Sequence, residues 1–161
     1  MSQVALSDAI RIEPETAFDT DAITRVVDDA FGPGRFAKTA ERLREDATPL
    51  CGFVARRRGR VIGSVRLWPI EIGGVPATFL GPIAVEAEER SSGVGADMVA
   101  ACIDCAKGRG AGVLLVGDVP YFGRFGFGPA PEIVLPGPVD PRRVLWLGFD
   151  GVAPTGLARS V

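Results

Sequence analysis

Phe79-Leu-Gly-Pro-Ile-Ala-Val-Glu-Ala-Glu-Glu-Arg90-Ser-Ser-Gly-Val-Gly-Ala96 is the stretch that organises the chain. An apolar strand runs to Val85 or Glu86, a short acidic loop follows, and Arg90-x-x-Gly93-x-Gly95 opens a helix. That order builds an anion site from backbone alone. The first N–H groups of a helix have no intrahelical partner and carry the positive end of its dipole. Glycines let a phosphate approach them with no Cβ in the way. Two familiar phosphate loops do not fit. A dinucleotide fingerprint needs a third small residue where Met98 stands, and a P-loop needs Gly-Lys-Ser/Thr after its glycines. The plain alternative is a helix start that happens to use glycine.

Strand, loop length and Arg90-Ser91-Ser92-Gly93-Val94-Gly95 together resemble the acyl-CoA-binding motif of the GNAT superfamily of N-acetyltransferases, Q/R-x-x-G-x-G/A. Downstream, Gly112–Gly117 resembles that family's next strand. Tyr121-Phe122-Gly123-Arg124-Phe125-Gly126-Phe127 resembles its short tyrosine-bearing helix ending in Gly-Phe. This resemblance covers about residues 79–127. It implies a mixed α/β (α+β) fold, with a central, mostly antiparallel sheet splayed into a V and flanked by helices. It also implies acetyl transfer from acetyl-CoA, as co-substrate, to a primary amine of a small molecule or peptide.

Composition bounds the rest. The 161 residues suit one domain with a single core, read here as 10–150 followed by a loosely held tail at 151–161. A net charge of −2 calls for neither nucleic acid nor an anionic membrane. No apolar run approaches the ~20 residues that span a bilayer, and the amino terminus lacks a signal-peptide pattern, so the chain reads as cytoplasmic. Histidine is absent, which removes Ser–His–Asp and Cys–His nucleophiles and histidine metal sites. No metal is expected. Cys102 and Cys105 form a C-x-x-C, but they lie with Val94, Met98 and Ala101 on the apolar face of a helix, two to three turns from its start. They read as core residues rather than a redox pair.

Along the chain, Ile10–Pro14 reads as a strand. Asp19 or Thr20 can cap a helix with Ile23, Val26, Val27, Ala30 and Phe31 on its apolar face, stopped by Gly32-Pro33-Gly34. A second helix would carry Phe36, Ala40, Leu43 and Ala47. Cys51–Arg57 and Arg60–Ile72 form a hairpin about Arg58-Gly59, and a turn at Gly73-Gly74 leads into the strand ending at Val85. The helix Gly93–Lys107 finishes at Gly108 and Gly110, followed by a strand at Val113–Val116 and late strands near Ile133–Leu135 and Val144–Phe149.

Pro82 gives no N–H to a ladder, so Gly81-Pro82 marks a bulge or an edge. By the resemblance, it is where the strand leaves its neighbour and the cofactor's pantetheine arm lies along the exposed backbone. Ile83 and Val85 would then offer main-chain bonds, and Arg90, Ser91, Ser92, Gly93, Val94, Gly95 and Ala96 would hold the pyrophosphate. The family's usual acid is a tyrosine four residues before the Gly of Gly-Phe. Phe122 stands there, and Tyr121, the chain's single tyrosine, is its neighbour about 100° away on a helix. Tyr121 is the candidate acid, with water as the alternative. Asp118 is the candidate base, ahead of Glu71 and Glu86. A non-catalytic acyl-CoA-binding module of the same fold is the rival reading. The Arg56–Arg60 cluster reads as a solvated turn rather than an RNA site, and Trp68 as a residue covering the sheet. Dimerisation is common in such folds and is carried over as an expectation only.

Overall fold

The computed structural model describes residues 8–32 and 38–161. In chain order it forms β1 (Arg11–Pro14), α1 (Thr20–Phe31), α2 (Thr39–Arg42), β2 (Cys51–Arg57), β3 (Arg60–Ile72), β4 (Val75–Val85) and α3 (Val94–Gly108). There follow β5 (Val113–Val116), α4 (Val119–Phe122), β6 (Gly128–Pro129), β7 (Ile133–Val134), β8 (Val144–Leu147) and β9 (Gly156–Ser160). The sheet runs β1-β2-β3-β4-β5-β8-β6, with β9 beside β3 and β7. Its pairs are antiparallel except β4–β5 and β7–β9. This is the expected mixed architecture, with helices on both faces.

The two hairpins fall where the turn residues put them. Arg58 and Gly59 have φ of 52° and 79°, the left-handed pair that a tight turn between twisted strands requires. α1 buries Ile23, Val26 and Val27 against Val54, Val61 and Ala84 of the sheet, each side chain contributing about 1.5–3 kcal/mol. On the opposite face α3 seats Val94, Met98, Val99, Cys102 and Ala106 over Ala55, Val65 and Leu80. It ends in a Schellman motif, with Ala111 N–H donating to Ala106 O (3.3 Å) and Gly110 N–H to Lys107 O (3.1 Å).

Four expectations are corrected. Asp19 does not cap α1 with its side chain. Its Oδ2 accepts from the Thr16 N–H at 2.8 Å and from Arg56 at 2.7 Å. Phe31 is 39% exposed rather than buried. The second helix is a single turn, capped at Leu43, and the chain then turns through Asp46 at a left-handed φ of 54° before Pro49. Leu43 is buried as predicted, while Phe36, like Pro33 and Gly34, lies outside the described residues. Finally, the tail is tied down. β9 registers Ala158 opposite Ile72 and Ser160 opposite Ile70, and Ala158 is fully buried.

One feature of the sheet positions the candidate site. β4 and β5 pair only at Thr78↔Val113 and Phe79↔Leu114. Beyond that point they part, and β4 bulges against β3, where the register jumps from Val65↔Ile83 to Leu67↔Leu80 across Gly81-Pro82. Trp68, 7% exposed, donates its indole N–H to the Gly81 carbonyl on the inner side of the bulge. The proline thus marks both a bulge and the mouth of a slot.

Candidate active site

The parting strands leave a backbone edge. N–H and C=O of one strand residue point the same way, and successive residues alternate. Glu86 N–H donates to Ile62 O of β3 at 2.9 Å, so the Ile83 and Val85 main-chain groups face away from β3, into the gap. A cleft of about 670 Å³ opens there, lined by Ile83 and Val85, by Arg90, Ser91 and Gly93–Ala96, and by Phe31, Tyr121, Phe122 and Arg124. Its loop reaches α3 through left-handed Ser91 (φ 80°) and Gly93 (φ 83°). No side chain caps α3, and its first helical bond is Asp97 N–H to Gly93 O at 3.1 Å. The N–H groups ahead of Asp97 therefore present the positive end of the helix to the cleft. Ser92 departs from expectation, since it does not line the cleft and its hydroxyl donates to Glu89 O at 2.6 Å.

A second pocket, of about 300 Å³, lies across the slot between α2 and the β5–α4 turn. Its walls are apolar (Phe79, Leu80, Pro82, Leu115), and its charged groups are Lys38, Glu41, Arg44, Asp118 and Arg143. Phe31, Ile83 and Phe122 line both spaces and form the partition between them. Phe122 is fixed there by Gly117, where a Cβ would come within 2.3 Å of its ring, and by edge contact with Tyr121 at 4.8 Å.

The sequence model of the Acetyltransferase (GNAT) family matches residues 20–127. The chain belongs to that family. It is 32% identical over 120 residues to the uncharacterized N-acetyltransferase YhbS of Escherichia coli K12, covering 72% of each chain. The crystal structure of E. coli YhbS in complex with CoA superposes with a TM-score of 0.81 at 25% identity, covering 98% of this chain and 92% of that one. A GNAT family acetyltransferase from Brucella melitensis in complex with acetyl-CoA gives 0.75 at 25% identity, covering 95% and 96%.

Within this GNAT scaffold the candidate acids and bases separate. Tyr121 lines only the first cleft. Its hydroxyl stands 3.3 Å from where a Cβ on Gly95 would lie, at the first turn of α3, with the Arg124 guanidinium 4.2 Å over its ring. Phe122, not Tyr121, is at the partition. Of the three carboxylates, Glu71 is paired with Arg159 of β9, remote from the slot. Glu86 is clasped by Arg25 and Arg60, both at 2.7 Å. Burial pushes its pKa up, but the two guanidinium groups outweigh that and hold the carboxyl below its ordinary range. Asp118 lines the second pocket, 74% exposed and 3.2 Å from Arg143. Sequence reasoning missed Glu41, whose carboxylate is 3.2 Å from Arg44 and only 13% exposed. The sole signal was an acid–base pair three residues apart in a weak helix.

The arginine turn is spoken for. Arg56 pairs with Glu13 and Asp19, Arg57 with Glu89, Arg58 with Asp8 and Arg60 with Glu86. Among the described residues, no group of three or more His, Cys, Asp or Glu side chains could hold a metal, and no helix is long and apolar enough to cross a membrane.

Proposed function

We propose that this acetyltransferase binds acetyl-CoA in the first cleft and passes its acetyl group directly to a primary amine held in the second pocket. The observation that carries the reading is the shared partition of Phe31, Ile83 and Phe122, which brings the two spaces together where β4 and β5 part. Gly93–Ala96 would receive the diphosphate on their N–H groups, with Arg90 adding charge, Ser91 lining the turn and Ser92 bracing the loop. Ile83 and Val85 would bond the pantetheine arm as an added strand does.

Magnitudes then assign the proton work. An amine of pKa about 10.4 is protonated at pH 7, and presenting it neutral costs about 4–5 kcal/mol. A free thiol has a pKa of about 8.5, so release as thiolate costs only about 2 kcal/mol at pH 7. The demand is for a base, not an acid. In this reading Asp118, at the pocket's mouth, draws in the ammonium and receives its proton directly or through water. The neutral nitrogen forms its bond to the acetyl carbon, the C–S bond breaks, the nitrogen gives up its second proton to water, and the departing thiolate takes a proton from solvent. Tyr121 holds the cofactor rather than protonating it. The cytoplasm is the proposed site of action, and a homodimer the proposed assembly.

Calorimetric titration with acetyl-CoA, CoA and ATP tests the cleft, and thiol release across a panel of amines tests the transfer. Binding of both CoA species but not ATP, with amine-dependent thiol release, is the expected result. Binding without acceleration by any amine would restore the non-catalytic module, and absence of CoA binding would remove the reading. An Asp118→Asn variant is expected to lower kcat/KM for amines while leaving the acetyl-CoA Kd unchanged.

A further inference from the structure

β2 alternates its side chains between two layers. Cys51, Phe53 and Ala55 enter the cluster beneath α3, while Val54 joins the one beneath α1. Cys51 therefore faces α3, whose Cys102 and Cys105, three residues apart on one helix face, enter the same cluster. Three free thiols meet at this corner, Cys102 fully buried and the other two half-buried. Outward, Cys51 opens onto a surface hollow lined by Pro14, Glu15, Pro49 and Phe53. Arg109, at the end of α3, donates to the Leu50 carbonyl at 3.4 Å, which brings a guanidinium beside Cys51. The carboxylate of Glu15, lying over the adjacent Gly52, is engaged by Arg66 at 3.2 Å.

We propose that Cys51 is a redox-active nucleophile, oxidised by hydroperoxides and then resolved into a disulfide by a thiol of α3. In the first step the Cys51 thiolate attacks the hydroxyl oxygen of the peroxide: an S–O bond forms, the O–O bond breaks and hydroxide or alkoxide leaves, taking a proton from solvent, which gives the sulfenic acid and water or an alcohol. In the second, the thiol of Cys102 or Cys105 attacks that sulfur. An S–S bond forms, the S–O bond breaks, and the attacking thiol's proton leaves with the hydroxyl as water. The peroxide supplies the two oxidising equivalents. None of the cofactor-cleft residues takes part, so the proposal stands apart from acetyl transfer.

The charge environment supports the geometry. The neighbouring Cys102 thiol, with Cys105 and Arg109, outweighs burial and the Glu15 carboxylate and brings the Cys51 thiol down to about 6. Cys102 and Cys105 are pushed up, the first chiefly by Cys51 and the second chiefly by burial, so their protons stay on. A thiol of pKa about 6 is also intrinsically less nucleophilic than one of 8.5, by roughly 13-fold at a Brønsted slope of about 0.45. Its greater ionisation outweighs that loss most at pH values below the ordinary thiol range, and the advantage shrinks as pH rises and ordinary thiols ionise too. The shape of the pH profile is therefore the signature, not speed at neutral pH.

The test uses the full chain, with iodoacetamide and hydrogen peroxide as probes. Alkylation of Cys51, mapped by peptide mass, is expected to run several-fold faster at pH 6 in the folded chain than in the chain unfolded in urea, with the difference closing as pH rises. Peroxide should leave one alkylatable thiol of the three and join residue 51 to 102 or 105. Cys51→Ser should form no disulfide, and Cys102→Ala/Cys105→Ala should accumulate a sulfenic acid that a cyclic 1,3-diketone traps. An ordinary thiol profile at Cys51, a Cys102–Cys105 product, or only chain-to-chain disulfides would each overturn the proposal.

Discussion

Replacing Tyr121 by Phe removes one oxygen from the cleft and separates the two roles a tyrosine could have. The ring's environment survives the change, because its contacts with Phe122 (4.8 Å between centroids), Phe125 (5.9 Å) and the Arg124 guanidinium (4.2 Å) are made by the ring itself. What is lost is a hydroxyl at the first turn of α3, beside Gly95, where the cofactor's diphosphate would lie. A hydrogen bond to a charged group contributes about 1.5–3 kcal/mol, and the open cleft favours the lower end, so the acetyl-CoA Kd should rise about tenfold. The rate at saturating cofactor should change less than twofold. Had the phenol protonated the departing sulfur, the rate itself would fall by about 10²–10⁴ and the alkaline limb of its pH profile would vanish. Calorimetry gives the Kd, and thiol release at saturating acetyl-CoA gives kcat across pH 6–10. A hundredfold loss of kcat with an unchanged Kd would refute the reasoning and make Tyr121 the acid.

Other perturbations probe the remaining parts. Gly95→Glu places a carboxylate and a Cβ against the Tyr121 hydroxyl at 3.3 Å, and should abolish acetyl-CoA binding in calorimetry with the far-ultraviolet dichroism retained. Gly117→Ala puts a methyl 2.3 Å from the Phe122 ring, which must swing into the partition. Displacement on the order of 1 Å there should lower kcat about 10²-fold with little change in the CoA Kd, and cost about 1–3 kcal/mol in a urea melt. Asp19, only 5% exposed, has its pKa brought to about 2, chiefly by the Arg56 hydrogen bond. A depressed carboxyl stabilises the fold above its unfolded pKa of about 3.9, so roughly 2–3 kcal/mol should be lost progressively as pH falls from about 5 to 1. Asp19→Asn should show that loss already at pH 7, with a flatter stability curve below pH 4.

How far these features were legible in the sequence depended on how local their causes are. Arg58-Gly59 and Gly73-Gly74 announce their turns within two residues, and the strands beside them came out at their observed ends. The glycine loop and its helix were legible for the same reason. Short β6 and β9 were not, because strands of two and five residues are stabilised by the partners they meet, and β9 meets β3 some ninety positions earlier. Glu41 and Phe31 became site residues only once the fold brought both to the pocket beside the β4–β5 gap. The C-x-x-C was rightly placed on a buried helix face, yet its connection to Cys51 spans half a hundred residues and has no local signature. The Tyr121–Phe122 order was plain to read, but which ring faced the partition was decided by Gly117.

The bond from Trp68 to the Gly81 carbonyl gives the protein an optical reporter of its own. Indole emission responds to the strength of that hydrogen bond and to the polarity around the ring. The acceptor carbonyl belongs to the very bulge along which a cofactor arm would settle, so occupancy of the gap would register as a change in intensity or wavelength. The chain's other tryptophan, Trp146, sits on β8 against Gly112 and Gly148, on the far side of β5. A Trp146→Phe variant excited at the red edge of the indole band would therefore follow ligand entry through one chromophore, in real time and without a label.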